Sequence, residues 1–293
     1  MRKLCSIVVS VLLLTNLVKA QNSITDYVDS YVGENAVPYV QPLADIFTSS
    51  LNTGVWEWSD IGSDFYLRLK LQGMMSFPSA SMRTFTGKTT GDFRPQQTAV
   101  VPTIIGDEDA VRIQGEDNAV YIFPGGLDMD QVILGTPQIT VGGFLNSELT
   151  ARFLAFEIGN ELDRVSMYGI GGRHAISNYF PDSPIDFSVG YMYHHLESGD
   201  YLNSDHHLIS AHVGASGEIL SGQFMVGYQT SDSDIHYIYD DGDVETDVNL
   251  NLTNNNPFIM EAGLGVKLGP VMASTSVSWS EHVAVSLGAG LFF

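Results

Sequence analysis

The sequence predicts an all-β fold: a transmembrane antiparallel outer-membrane β-barrel of about 10–14 strands with a short N-terminal helical plug segment. Three observations carry this. From Asp64 onward apolar residues recur with period two; after the first twenty residues no apolar stretch reaches 18 positions; and the chain is at once acidic, with net charge −21, and apolar, with 44% hydrophobic residues. Helical membrane spans are thereby excluded. Acidity and apolarity must occupy different places, because a disordered acidic chain lacks such apolar content. A barrel separates them, with a lipid-facing band and acidic loops.

Residues 1–20 read as a signal peptide, with Arg2 and Lys3 ahead of the apolar run Ile7 to Leu14 and with Val18 and Ala20 before a cut at Gln21. The one cysteine, Cys5, falls inside it, so no disulfide framework remains. Three of the 13 basic residues also fall there, which leaves ten (13 less three) against 34 acidic ones. Such a chain cannot neutralise phosphates, and nucleic acid is excluded as a partner.

Residues 21–62 form the helical, plug-like segment. Ile24, Tyr27, Val28 and Tyr31 recur at helical spacing, as do Leu43, Ile46, Phe47 and Leu51 after Pro42. Asn52, Thr53 and Gly54 then stop a helix spanning about 24–51. Residues 63–293 form the barrel. In its first strand Phe65, Leu67, Leu69, Leu71, Met75 and Phe77 alternate with Asp64, Tyr66, Arg68, Lys70 and Gln72. Charges on one face of an otherwise apolar strand imply a wet interior, since a dry core would bury them at high cost. Glu261 and Lys267 share such a face with Phe258, Met260, Ala262, Leu264, Val266 and Leu268 opposite, so Arg68, Lys70, Glu261 and Lys267 are assigned to the lumen.

The same alternation marks strands near 185–193, 220–229, 271–280 and 283–293, with Ser274, Ser276, Ser278 and Ser280 inward in the third. Weaker strands lie at 138–145, 149–158, 164–174 and 205–215, which makes ten. Glycines in 164–174 suggest a bulge or bend, and two apolar pieces, 98–105 and 119–123, would add a barrel hairpin. Counting back from a periplasmic C-terminus puts short turns at 145–148, 178–184, 216–220 and 268–270 inside. The longer segments 78–137, 195–205 and 230–257 fall outside, as outer-membrane barrels arrange them. Trp56, Trp58, Tyr191, Tyr193, Tyr228 and Trp279 sit near expected strand ends, where an aromatic girdle belongs.

The last eight residues, Ser286 to Phe293, look like the C-terminal signal read by the outer-membrane assembly machinery, with Gly288, Leu291 and Phe293 at its marked positions. Tyr39 to Asp45 with Leu51 to Trp56, Thr136 to Gly142 with Glu148 to Phe153, and Gly169 to Ile176 together resemble an uncharacterised outer-membrane barrel family, known only as a domain of unknown function. The layout of a helix before the first strand is also similar to long-chain fatty-acid transporter barrels. That resemblance implies a plugged lumen and a hydrophobic cargo, and it is one of architecture alone.

His194, His195, His206 and His207 flank one expected hairpin, with Glu197, Asp200 and Asp205 nearby. Imidazoles and carboxylates so placed suit a divalent metal such as zinc; headgroup-level side chains at strand ends are the favoured alternative, since alternation sends His194 and His195 to opposite faces. The carboxylates between Asp232 and Asp247 suit a solvated loop or an oxygen-ligated cation. A hydrolase needs a nucleophile beside a base, and His174 has only Ser177 close in sequence, on the opposite face. No enzyme and no cofactor are expected. The expected function is passive transport of small hydrophobic or amphipathic molecules across the outer membrane, among its lipids. The alternatives are a structural or assembly partner in the envelope and a lipid-modifying enzyme.

Overall fold

The computed structural model describes residues 33–158, 162–180, 183–240 and 245–293. The expected signal peptide and the first third of the expected helix lie outside them. Among the described residues one α-helix, α1 (Ala36–Asn52), precedes β1 (Tyr66–Phe77). The excursion after β1 holds β2 (Thr84–Lys88), β3 (Thr98–Pro102), β4 (Val111–Gln114) and β5 (Val120–Phe123). Then follow β6 (Val132–Phe144), β7 (Ser147–Ile158), β8 (Leu162–Ala175), β9 (Asp186–Ser198) and β10 (Leu202–Ser216). The chain ends with β11 (Leu220–Asp240), β12 (Glu245–Thr253), β13 (Phe258–Leu268), β14 (Val271–Trp279) and β15 (Val283–Phe292).

Ten of these strands close a ring among the described residues, in the order β1, β6, β7, β8, β9, β10, β11, β13, β14, β15 and back to β1, every pairing antiparallel. Closure leaves no unpaired edge, which hydrocarbon would not tolerate. The register fixes the faces. On β14, Met272, Ser274, Ser276 and Ser278 are buried while Val271, Ala273 and Trp279 are exposed; on β1, Arg68, Lys70, Gln72 and Ser76 are buried while Leu69, Leu71 and Phe77 are exposed. Large apolar side chains facing outward on every barrel strand, over a polar interior, make this an outer-membrane barrel.

The ten strands are those the alternation marks; their lengths are not. β9 and β10 run on to a turn at Gly199–Tyr201, so 195–205 is no long loop, and β11 extends far enough to carry β12 as an outer arm. The apolar pieces 98–105 and 119–123 add no barrel hairpin. β3 pairs with β2 and β5 with β4, in two small sheets of their own. No bulge interrupts Ser147–Glu157 against Arg164–His174; the glycines of β8 serve another end, since a Cβ on Gly169 would lie 2.3 Å from His194 Cδ2. They make room for a neighbouring inward side chain.

Candidate functional site

The lumen is filled by the chain's own N-terminal segment, which crosses it from the long-loop end to the short-turn end. Pro38 falls in the first turn of α1, where a proline is tolerated, and Pro42 lies inside the helix. Tyr39, Val40, Ala44 and Ile46 pack with Val101, Ile104, Ile105, Phe123, Leu250 and Leu252, an apolar cap over the barrel mouth. Below the cap polar contacts alternate with apolar ones, for Leu51 packs with Met167 and Leu196, and Val55 and Trp56 pack with Met192, Leu208, Met225 and Ile259. Thr48 Oγ1 meets His206 Nδ1 at 3.1 Å, Ser49 Oγ meets His282 Nε2 at 2.9 Å, Ser50 Oγ meets Ser76 Oγ at 2.5 Å, and Asn52 Nδ2 donates to Gln229 at 3.2 Å.

Past the helix, residues 53–61 thread down the wall. Thr53 Oγ1 meets Ser278 Oγ at 2.7 Å, Gly54 N–H donates to Glu261 Oε2 at 2.7 Å, and Val55 O accepts from Gln138 Nε2 at 2.9 Å. Trp56 Nε1 donates to Thr150 at 3.1 Å, Trp58 O accepts from Arg173, and Ser59 Oγ donates to Asp186 at 2.6 Å. Ile61 O accepts from Asn178 Nδ2 at 3.0 Å, beside the β8–β9 connection. Gly54 has φ +64°, and a Cβ there would lie 2.5 Å from both Gln72 Nε2 and Ser286 Oγ. Gly54→Ala is therefore expected to unseat the segment, read as faster amide exchange over residues 48–58 with the barrel amides unchanged.

Four buried cations organise this interior. Arg152 donates to three carbonyls where the helix ends: Leu51 O at 2.8 Å, Thr53 O at 3.3 Å and Gly54 O at 2.6 Å. Lys70 Nζ pairs with Glu57 at 2.5 Å. Glu148 accepts from Arg68, from Arg173 Nε at 2.9 Å and from Tyr66 OH at 2.5 Å, all buried. A carboxylate bridging two guanidiniums offsets charge that the lumen would otherwise bury unpaired. Outside the strands, burial pushes Asp45 above its ordinary range despite hydrogen bonds from Asn255 and Gln41, and it pushes His282 down to about 4. Between Val55, Glu57, Lys70, Gln138 and Ser274 a cavity of about 10 Å³ remains, room for one water.

A family model matches residues 1–293. The chain belongs to a family of unknown function, DUF6588. No curated protein matches it. Among solved structures, this DUF6588 chain is similar to the N-terminal barrel domain of Pseudomonas aeruginosa OprF, 16% identical over 50% of this chain and 98% of that one, TM-score 0.28. It is also similar to the outer membrane protease OmpT from Escherichia coli, 8% identical over 78% and 96%, TM-score 0.34, and to the Ralstonia pickettii toluene transporter TbuX, 10% identical over 85% and 93%, TM-score 0.27. The barrel assignment stands on the chain's own strand pairing.

In the DUF6588 barrel Arg68, Lys70 and Glu261 line the lumen, and Lys267 Nζ sits over the rings of Trp58 and Phe292. The four candidate metal ligands do not converge. Alternation turns His194 and His206 inward as cross-strand partners and His195 and His207 outward, where His195 meets Asp205 at 2.8 Å and His207 meets Tyr191 OH at 2.8 Å. Among the described residues no three His, Cys, Asp or Glu side chains are grouped to hold a metal. Trp56 and Trp58 are not girdle residues; they are buried inside with the segment. His174 meets Ser147 at 2.8 Å, its cross-strand neighbour, rather than Ser177. Gly288 is buried in the wall, while Leu291 and Phe293 face outward and the Phe293 backbone pairs with Leu67. Sequence reasoning missed Glu148, Arg152 and Arg173, although the alternation of Glu148, Thr150 and Arg152 with Leu149, Ala151 and Phe153 carries the signal that placed Arg68 and Lys70.

Proposed function

We propose that the protein is a stoppered outer-membrane conduit: small polar or amphipathic molecules pass through the barrel once the N-terminal segment yields. One observation carries this, the row of hydrogen bonds between segment and wall that recurs from Thr48 to Ile61 and is broken only by two small apolar clusters. A filler meant to stay would pack best against an apolar wall. Hydrogen bonds across a polar seam exchange for water at a net cost of only about 0.5–1.5 kcal/mol each, so the duct left behind is wettable. Lining it are Ser, Thr, Gln and Arg side chains beside Met192, Leu208 and Met225, a mixture that suits a cargo carrying hydrogen-bonding groups. The apolar pieces at 98–105 and 119–123 are spent on the cap, and the apolar side chains below it fall in two separate clusters, so a purely hydrocarbon cargo finds no continuous track. The layout shared with long-chain fatty-acid transporters supports the stopper and not their cargo class. No catalysis is assigned, since the far nitrogen of His174 meets the phenol of Tyr179 at 3.1 Å rather than a carboxylate. The outward apolar belt supports membrane lipid as a partner, and the last strand supports recognition by the assembly machinery.

A second reading, an envelope scaffold without traffic, is favoured by a lumenal cavity no larger than a water. Cysteines at Thr53 and Ser278, whose hydroxyl oxygens lie 2.7 Å apart, separate the two. In planar bilayers, openings should cease when this pair is oxidised and return on reduction, and a chain lacking residues 33–61 should conduct continuously. A folded barrel without that segment that stays closed would leave only the scaffold.

A further inference from the structure

We propose that His282 and His212 form an acid-sensitive latch: neutral, they hold the segment in the lumen, and protonated, they release it. This rests on the stopper reading above and names its trigger. The two grip the segment at different depths. His282, in the β14–β15 connection at the long-loop end, meets Ser49 Oγ through Nε2 at 2.9 Å. His212, on β10 nearer the short turns, meets Ser210 Oγ through Nε2 at 2.9 Å and stands edge-on to Trp56, ring centres 5.5 Å apart. Each is about 5% exposed, and each has an Nδ1 that meets no partner.

That arrangement accepts imidazole and refuses imidazolium. The cation carries N–H donors on both nitrogens, and here the second would point at nothing that accepts while its charge sat out of water. Groups facing the pair do not relieve it. At the upper end the carboxylates Glu281 and Asp45 accept from Asn256 and Asn255. Below, the charge facing His212 is Arg173, a cation, itself committed to Glu148 along with Arg68. Glu57 is held by Lys70, Glu261 by the Gly54 N–H, and Asp186 by Ser59. Of the other inward histidines, one also touches the segment but has a hydroxyl at each ring nitrogen, and one faces cations. His206 meets Thr48 and Ser204, and His194 faces Arg152 and His206.

The sign follows from linkage. Seated, His282 is held down to about 4; released into water it returns to its ordinary value near 6.5. Between those values the released state binds more protons at His282, so acid favours release, by up to about tenfold per pH unit from this histidine. Above about pH 7 the latch is shut. External acid reaches His282 first.

The test uses the full chain in planar bilayers at pH 7.5 and 5.0, with amide exchange of residues 48–58 measured beside conductance. Open probability and corrected exchange should both rise at least tenfold at pH 5.0, and they should rise equally in the outward-facing controls His195→Asn and His207→Asn. The double variant His282→Asn with His212→Gln, or His282→Asn alone should the double variant misfold, should lose most of that rise. A rise that survives in these variants overturns the latch. So does a wild type closed at both pH values while Arg152→Ala conducts at both, a result that keeps the stopper. If Arg152→Ala and the reduced cysteine pair stay closed at every pH, the stopper itself fails.

Discussion

Arg152→Ala is expected to convert a closed barrel into one that conducts, with open probability raised on the order of a hundredfold at neutral pH. Its guanidinium is fully buried and is the contact that gathers three carbonyls where helix gives way to thread. Hydrogen bonds to a charged group contribute about 1.5–3 kcal/mol each. Losing the two shorter ones weakens seating by about 3 kcal/mol or more, and each 1.4 kcal/mol is tenfold. The strand ladder around residue 152 is backbone and stays, so the barrel should keep its folded gel mobility and its strand circular dichroism. Arg152→Lys keeps the charge without the planar fork and should fall between the two. Conductance no different from wild type, in a folded variant, would show that the carbonyl clasp does not hold the segment.

Glu148→Gln should damage the barrel rather than open it. The substitution leaves Arg68 and Arg173 facing each other across a neutral amide in a buried site, with one acceptor oxygen where there were two, so an amide N–H must face either Arg173 or the Arg68–Tyr66 pair. Removing one partner from a buried ion pair costs about 3–5 kcal/mol, because the survivor stays buried and charged. Denaturant unfolding in lipid vesicles should report that loss, with the short-turn end giving way first in proteolysis. Replacing all three charges by apolar groups of similar volume should restore much of it, since the attraction in such a triad is set against the desolvation of every member. Equal stability of Glu148→Gln and wild type would mean that water already shields the triad.

The ten barrel strands were legible because a hydrocarbon exterior leaves one mark on every strand, whichever strand is its neighbour. Arg68 and Lys70 could be assigned inward for the same reason. What escaped depends on partners distant in sequence. A tryptophan suits a membrane girdle or a packed interior equally well, and only the path of residues 53–61 decides for Trp56 and Trp58. Likewise, Gly169 and Gly171 read locally as a kink, whereas their role is set by Met192 and His194 on the next strand. The segments 195–205 and 230–257 read as loops because the polar runs Glu197 to Asp200 and Thr230 to Asp234 interrupt the lipid-facing apolarity. The strands simply continue without it.

Residues 62–65 join the threaded segment directly to β1 at the short-turn end. A tether of four residues keeps a dislodged segment at an effective concentration on the order of millimolar at its own mouth. Reclosure is then an intramolecular event, indifferent to how many copies share the membrane, and no opening can cost the barrel its own gate.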